Sequence, residues 1–298
     1  LDINGTQIEV VDCFKYLGVL FSKNRQFAQA KKHIAEQARK CLFSLYRKIR
    51  NLDLTIDCQL KLFDATILPI LTYGCEIWGH SDLGLIEKIH TDFMKHILHV
   101  KRGTPHIMLY GDLGRYPIQI AIKKRVVGFW FNLITNPDKL SSLLYKCVYC
   151  DLVHNNRTYK WLTFVKNIFD ECGMSYIWLN QSFDGSRTLL LNEVEMTLRY
   201  QYSQSWHSAI NDSTKCINYR IYKTEHKYEK YLDILNPFSA QKLINFRMCN
   251  NHLPIEKLRW SNVDRVDRLC IACNSGEIGD EYQKATCPRK TSKTQKLH

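Results

Sequence analysis

From Ile34 to Cys249 the apolar residues of this chain recur at the three- and four-residue spacing of helices, and only residues 1–22 carry a β pattern. That order restricts the fold to a mainly α architecture with a β-hairpin at its N-terminal end. The stretch "CFKYLGVLFS" (13–22) is rich in β-formers and is predicted to be a strand, with Gly18 at a bulge or a close backbone approach. Ahead of it, "LDINGTQIEVV" sets Asn4-Gly5 between apolar residues, the signature of a tight hairpin turn. The first predicted helix carries Ile34 to Ile49. A second region runs from Asp57 to about Gly79, kinked or broken at Pro69. Ile86, Ile89, Phe93 and Ile97 form a further stripe, and Pro117 opens a helix that Asn136-Pro137 ends. Periodic segments follow at 157–172, closed by Gly173, at 186–209 and at 239–249, with loops at 179–187 and 211–216. A boundary is predicted at 150–156, and no internal repeat is present.

With 298 residues, 45% hydrophobic and 12% aromatic, the chain can bury one large core or two smaller ones. It does not begin with Met, which suggests a fragment. No signal peptide is expected, and the longest apolar stretch, 65–74, is too short to span a bilayer and contains Pro69. Twelve cysteines lack the regular framework of a small secreted domain. Reduced thiols, most of them in the core, and an intracellular location, nuclear and/or cytoplasmic, are expected.

The net charge of +13 is local. Nine Lys/Arg between Lys23 and Arg50 face a single acid, Glu36, and seven between Lys95 and Arg125 face only Asp112. Two such windows point first to a polyanion, most commonly nucleic acid. On a helix, Ile34, Ala38, Cys41, Leu42, Leu45 and Ile49 share one face, and Lys32, Arg39, Lys40, Arg47 and Arg50 fall opposite. A solvated face would ordinarily alternate signs, and this one does not.

Taken in order, "FKYLGVLFS", the basic helix, "LKLFDATILPILTYGCEIWG", "GDLGRYPIQIAIKKRVVGFW" and the closing "LINFRMCNNHLPIEKLRW…DRLCIACNSGEIGDEYQKATCP" resemble the C-terminal part of the reverse transcriptase of LINE-type non-LTR retrotransposons. The resemblance runs discontinuously from Ile8 to Pro288; 157–230 contributes little. It implies a palm-end β-hairpin at 1–22, a helical thumb-like region at 23–153, a helical extension at 154–258 and a cysteine-rich tail at 259–298. In such proteins the hairpin lies near the primer end, which assigns Lys15, Tyr16 and Gly18 to the sugar–phosphate chain beside the thumb's Lys32, Arg39, Lys40, Arg47 and Arg50. The implied partners are an RNA template and a DNA primer or target during target-primed reverse transcription, with no membrane and no small-molecule substrate.

The chemistry of nucleotidyl transfer needs clustered carboxylates around two metal ions. This family carries them in a paired Asp-Asp, and no Asp-Asp occurs in this sequence. Asp112 in "YGDLG" is a lone acid in what reads as a loop between helices. Mg²⁺ would enter only through the absent palm, so no catalytic residue is assigned and no polymerase activity is expected of this chain alone. A Walker-type loop, a GxSxG elbow and an HExxH pair are also missing.

Cys270-x2-Cys273 is a zinc-compatible knuckle, and Cys287 follows after a Gly-containing loop. The resemblance places a His near position 283, where this chain has Gln283, with a short spacing to Cys287; His298 and His252 are alternative fourth ligands. Cys147-x2-Cys150 with His154 has similar spacing, but cysteines three apart on a helix are more often core residues. Trp78, Phe129, Trp130 and Phe131 are expected in the core, and His90, His96, His99 and His106 as ordinary helix or loop residues. Two other readings stay open. One is a stand-alone helical binding or interaction module; the other is a decayed relic without function.

Overall fold

The computed structural model describes residues 2–3, 6–7, 9–24, 27–155, 157–249, 253–273 and 275–287. Four short strands come first: β1 (Asp2–Ile3), β2 (Thr6–Gln7), β3 (Cys13–Tyr16) and β4 (Val19–Ser22). Helices follow: α1 (Ala28–Ile49), α2 (Ile56–Thr66), α3 (Leu68–Leu71), α4 (Cys75–Trp78), α5 (Gly84–Ile97), α6 (His106–Asp112), α7 (Ile118–Thr135) and α8 (Leu140–Asn155). The remainder are α9 (Lys160–Glu171), α10 (Ser175–Asn180), α11 (Arg187–Asp212), α12 (Tyr219–Tyr222), α13 (Tyr231–Ile234), α14 (Pro237–Arg247), α15 (Pro254–Lys257) and α16 (Glu281–Thr286). The protein is mainly α, as its periodicity requires. Two compact units divide it, Leu1–Thr91 with Tyr116–Ser203 and Asp92–Arg115 with Gln204–His298, and the divisions fall inside α5 and α11.

In the first unit, 13–22 is not one strand. It is itself a hairpin, with Tyr16 paired to Val19 and a two-residue turn at Leu17-Gly18. Both turn residues have positive φ, 44° and 84°, as the twist of a two-residue hairpin demands. Gly18 supplies that conformation freely; Leu17 adopts it under strain. A second pair, β1 with β2, lies ahead of it, and the Asn4-Gly5 turn between them falls outside the described residues. Val19 alone anchors the larger hairpin in the core, where a Cβ on Gly74 would lie 2.9 Å from its Cγ2.

The predicted helix over 57–79 is broken twice. Pro69 starts α3 because it has no N–H to continue α2, and Gly74, at φ 64°, turns the chain into α4. The stripe Ile86, Ile89, Phe93 and Ile97 is buried on α5 as expected. α7 forms the middle of the first unit. Its Trp130 is buried, donates to Tyr145 Oη of α8 (2.8 Å) and meets the Phe169 ring of α9 at 4.8 Å. Trp78 is likewise buried, whereas Phe129 and Phe131 are half-buried. α8 continues through Asn155, and both sides of 150–156 belong to this unit.

The second unit is organised around Asp112. It is not a loop residue: it ends α6 and is fully buried. Tyr219 Oη (2.7 Å), Tyr231 Oη (2.7 Å) and Arg247 Nε and Nη2 (3.1 and 3.0 Å) all donate to its carboxylate. Burial, then the adjacent carboxylate, hold both tyrosine hydroxyls far above their ordinary pKa, so they remain donors. Glu229, whose N–H donates to Asp112 O, adds a second carboxylate 3.4 Å from Arg247 and pairs with buried Lys223. The glycines on either side make room for this. A Cβ on Gly111 would stand 2.5 Å from the Trp206 ring, and one on Gly114 (φ 58°) 2.4 Å from Tyr228 N.

Removing one partner of a buried ion pair strands the other. Asp112→Asn should therefore lower the unfolding free energy by about 3 kcal/mol, within the roughly 3–5 kcal/mol typical of such breaks. The Asp112→Asn/Arg247→Met double variant should lose less than the sum of the single losses. Urea unfolding followed by circular dichroism measures both; strictly additive losses would contradict the coupling.

Candidate nucleic-acid interface and metal centre

The packed side of α1 is made by Ala30, Ile34, Ala35, Ala38 and Leu42, all buried, with Cys41, Leu45 and Ile49 half-buried beside them. Alanines at three of these positions let the helix approach α3 and β4 closely. Opposite, Lys32, Lys40, Arg47 and Arg50 are exposed and Arg39 is half-buried. They occupy an arc of about 100° and, at 1.5 Å rise per residue, a length of roughly 27 Å. Among the described residues none of the five makes an ion pair with an acid. The ridge is thus charged on one side only, with Glu36 as its single helical acid.

One lysine of the same window belongs to the core instead. Lys31 is buried, and its Nζ donates to Ser81 Oγ (3.0 Å) and to Asp82 O. Burial lowers its pKa, opposed by the Asp82 charge. A helical wheel places it among the apolar residues, so the spacing itself carried the signal.

The second basic window does not form a comparable surface. Lys123, Lys124 and Arg125 are consecutive on α7 and point in three directions, each to a different glutamate. Lys123 pairs with Glu171 of α9 (2.5 Å), Lys124 with Glu195 of α11 and Arg125 with Glu76 of α4 (2.8 Å). Their charge is spent inside the first unit, while Lys95, Lys101, Arg102 and Arg115 belong to the second.

At the hairpin, Lys15 and Tyr16 are exposed. Gly18 is not open to a ligand on the side a Cβ would take: that place lies 3.0 Å from the Tyr73 ring, and the Tyr73 hydroxyl donates to Leu17 O (2.7 Å). Its glycine character serves the turn and this contact.

In the second unit, the cysteine-rich tail forms a hairpin closed by Cys270 N to Glu277 O (2.8 Å) and Gly279 N to Arg268 O (2.7 Å). Arg268 ties it down by donating to Val263 O and Ile255 O, and Gly279 packs against Pro254 of α15. Asp280 caps α16, which delivers buried Cys287 at its C-terminal end. The sulfurs of Cys270, Cys273 and Cys287 lie within 4.8 Å of one another. Tetrahedral zinc with sulfur at about 2.3 Å sets sulfurs roughly 3.8 Å apart, so a small closure would suffice. This cluster can hold a metal ion.

Gln283 reaches the same cluster, its Nε2 standing 3.3 Å from Cys273 Sγ and 3.2 Å from Ser275 Oγ. Hydrogen bonds with Ser275, then from Gln283, lower the Cys273 pKa to about 6 and favour the thiolate that a metal requires. His252 and His298 lie outside the described residues.

Cys147, Cys150 and His154 are exposed on α8 rather than buried, and among the described residues they form no metal-binding cluster. Of the twelve cysteines only Cys75, Cys216 and Cys287 are buried, so the thiols are mostly not core residues, and none forms a disulfide. His90 is buried against the Phe63 ring and bonded to Glu87, a packing role. Among the described residues no helix is long and apolar enough to cross a membrane.

Compared with known proteins, the chain matches no family model, and no similar protein was found among curated proteins or solved structures.

Because position 283 sits against Cys273, Gln283→His should supply the missing imidazole donor and tighten zinc binding at least tenfold in competition with a chelator. Cys270→Ser should weaken it by a similar factor. Unchanged affinity in Gln283→His alongside a loss in Cys270→Ser would show that the fourth ligand comes from elsewhere.

Proposed function

We propose that this chain holds the RNA template and DNA primer as the C-terminal, thumb-bearing part of a LINE-type reverse transcriptase, without the carboxylates of nucleotidyl transfer. The observation that carries the reading is the outward face of α1, where five basic side chains stand without acidic partners among the described residues. A helix packed on one side and cationic on the other, with Glu36 the one acid on that outward face, suits a phosphate backbone, whose binding is sequence-tolerant and driven by counterion release. The hairpin placed directly before that helix, with Lys15 and Tyr16 exposed, and the cysteine cluster of the tail support the same reading. In it, zinc is the metal of Cys270, Cys273 and Cys287, and it fixes the tail's fold without taking part in chemistry.

Binding of a labelled RNA–DNA hybrid, followed by anisotropy across a salt series, tests the proposal. The parent should weaken steeply with salt. Reversing charge at Lys32, Arg39, Lys40 and Arg47 should weaken binding more than tenfold at about 0.1 M salt and flatten the log–log slope by roughly 3 to 4. The circular dichroism spectrum should not change, because these residues lie opposite the packed face. Equal affinity and slope in parent and variant would overturn the proposal.

A further inference from the structure

A cleft of about 480 Å³ opens in the first unit between α4, α7 and the start of α11, lined by Gly74, Glu76, Arg125, Phe129, Asn132 and Arg187 among others. Its volume falls in the roughly 300–1,000 Å³ range of small-ligand sites. Two guanidinium groups face it, and they differ in kind. Arg125 is held by Glu76 through Nε (2.9 Å) and Nη2 (2.8 Å). Arg187 has no acidic partner among the described residues; its Nε donates only to Gly128 O, at 3.5 Å. The three charged groups therefore leave one positive charge in the cleft, the complement of a single phosphodiester.

The position of Arg187 is built into α7. Gly128 sits in the middle of that helix, where glycine is a poorer choice than alanine. A Cβ there would stand 2.6 Å from Arg187 Nη2, so the missing side chain is the space the guanidinium fills. Next to it, Phe129 is oriented by an edge contact with Trp161 (centroids 5.9 Å, planes at 80°), and Asn132 one turn on offers both a donor and an acceptor. On the opposite wall, Gly74 follows Tyr73, whose hydroxyl holds the hairpin turn beside exposed Tyr16. A cation fork, an aromatic ring and an amide together suit one nucleotide.

We propose that this cleft seats one nucleotide of a single strand, with its phosphate on Arg187, its base against Phe129 and its polar edge on Asn132. The proposal deepens the nucleic-acid reading of this unit, but it concerns a site separate from the α1 ridge and can stand or fall without it.

Calorimetric titration of the full chain with a thymidine trinucleotide, with thymidine and with inorganic phosphate tests it. The trinucleotide should bind, and the other two should each bind at least tenfold more weakly. Arg187→Gln should weaken the trinucleotide tenfold or more. Gly128→Ala, which keeps the arginine but fills its cradle, should do the same without loss of helix. Arg187→Gln should leave the salt slope of RNA–DNA hybrid binding within about one unit of the parent's, so failure of the ridge and failure of the cleft read out separately. No trinucleotide binding by the parent, equal binding in Arg187→Gln, or phosphate binding as tightly as the trinucleotide would each overturn the proposal.

Discussion

The buried pairing of Asp112 with Arg247 is the constraint on which the second unit turns. Two of its helices are very short: α12 and α13 have four residues each, far below the length at which a helix persists alone. They are ordered by common partners. Asp112 gathers Tyr219 from α12, Tyr231 from α13 and Arg247 from α14 onto one carboxylate at the end of α6. A buried ion pair contributes little net stability compared with a well-packed apolar substitute. It specifies an arrangement, because any other packing would leave a charge without its partner. The cysteine-bearing tail follows α14 and α15 in the chain.

The first unit obeys a different rule, in which the fate of a basic residue is set by acids distant in sequence. The clusters at 31–50 and 123–125 look alike when read along the chain. Glu76, Glu171 and Glu195 claim the second cluster, and among the described residues no acid pairs with the outward residues of the first. Local charge density identified both windows, but only tertiary structure separates an internal brace from a free surface. Lys31 shows the finer form of the same point: within one helix, a 100° step decides between core and solvent.

What could be read in advance was whatever depends on neighbours in sequence. The stripes on α1 and α5, the start of α7 at Pro117 and the convergence of Cys270, Cys273 and Cys287 rest on spacing, and spacing survives folding. The turn at Leu17-Gly18 was hidden because Leu17 is an unfavourable residue for positive φ, so β-propensity across 13–22 read as one continuous strand. Asp112 was hidden because its partners lie more than a hundred residues away. The signal available was the pair of glycines around it, which mark close backbone approach on both sides. The exposed Cys147 and Cys150 escaped a reading based on average burial, since α8 turns that face outward.

The central claim is that nucleic acid lies along the outward face of α1 and beside the β3–β4 turn. Photo-crosslinking of the full chain to a 4-thiouridine-substituted RNA paired with a DNA primer, followed by mass spectrometry of the linked peptides, tests it most directly. The expected result is crosslinks concentrated in peptides covering Lys15–Tyr16 and Lys32–Arg50, lost together as salt is raised. Crosslinks confined to residues 204–287, or none above a background protein, would contradict it.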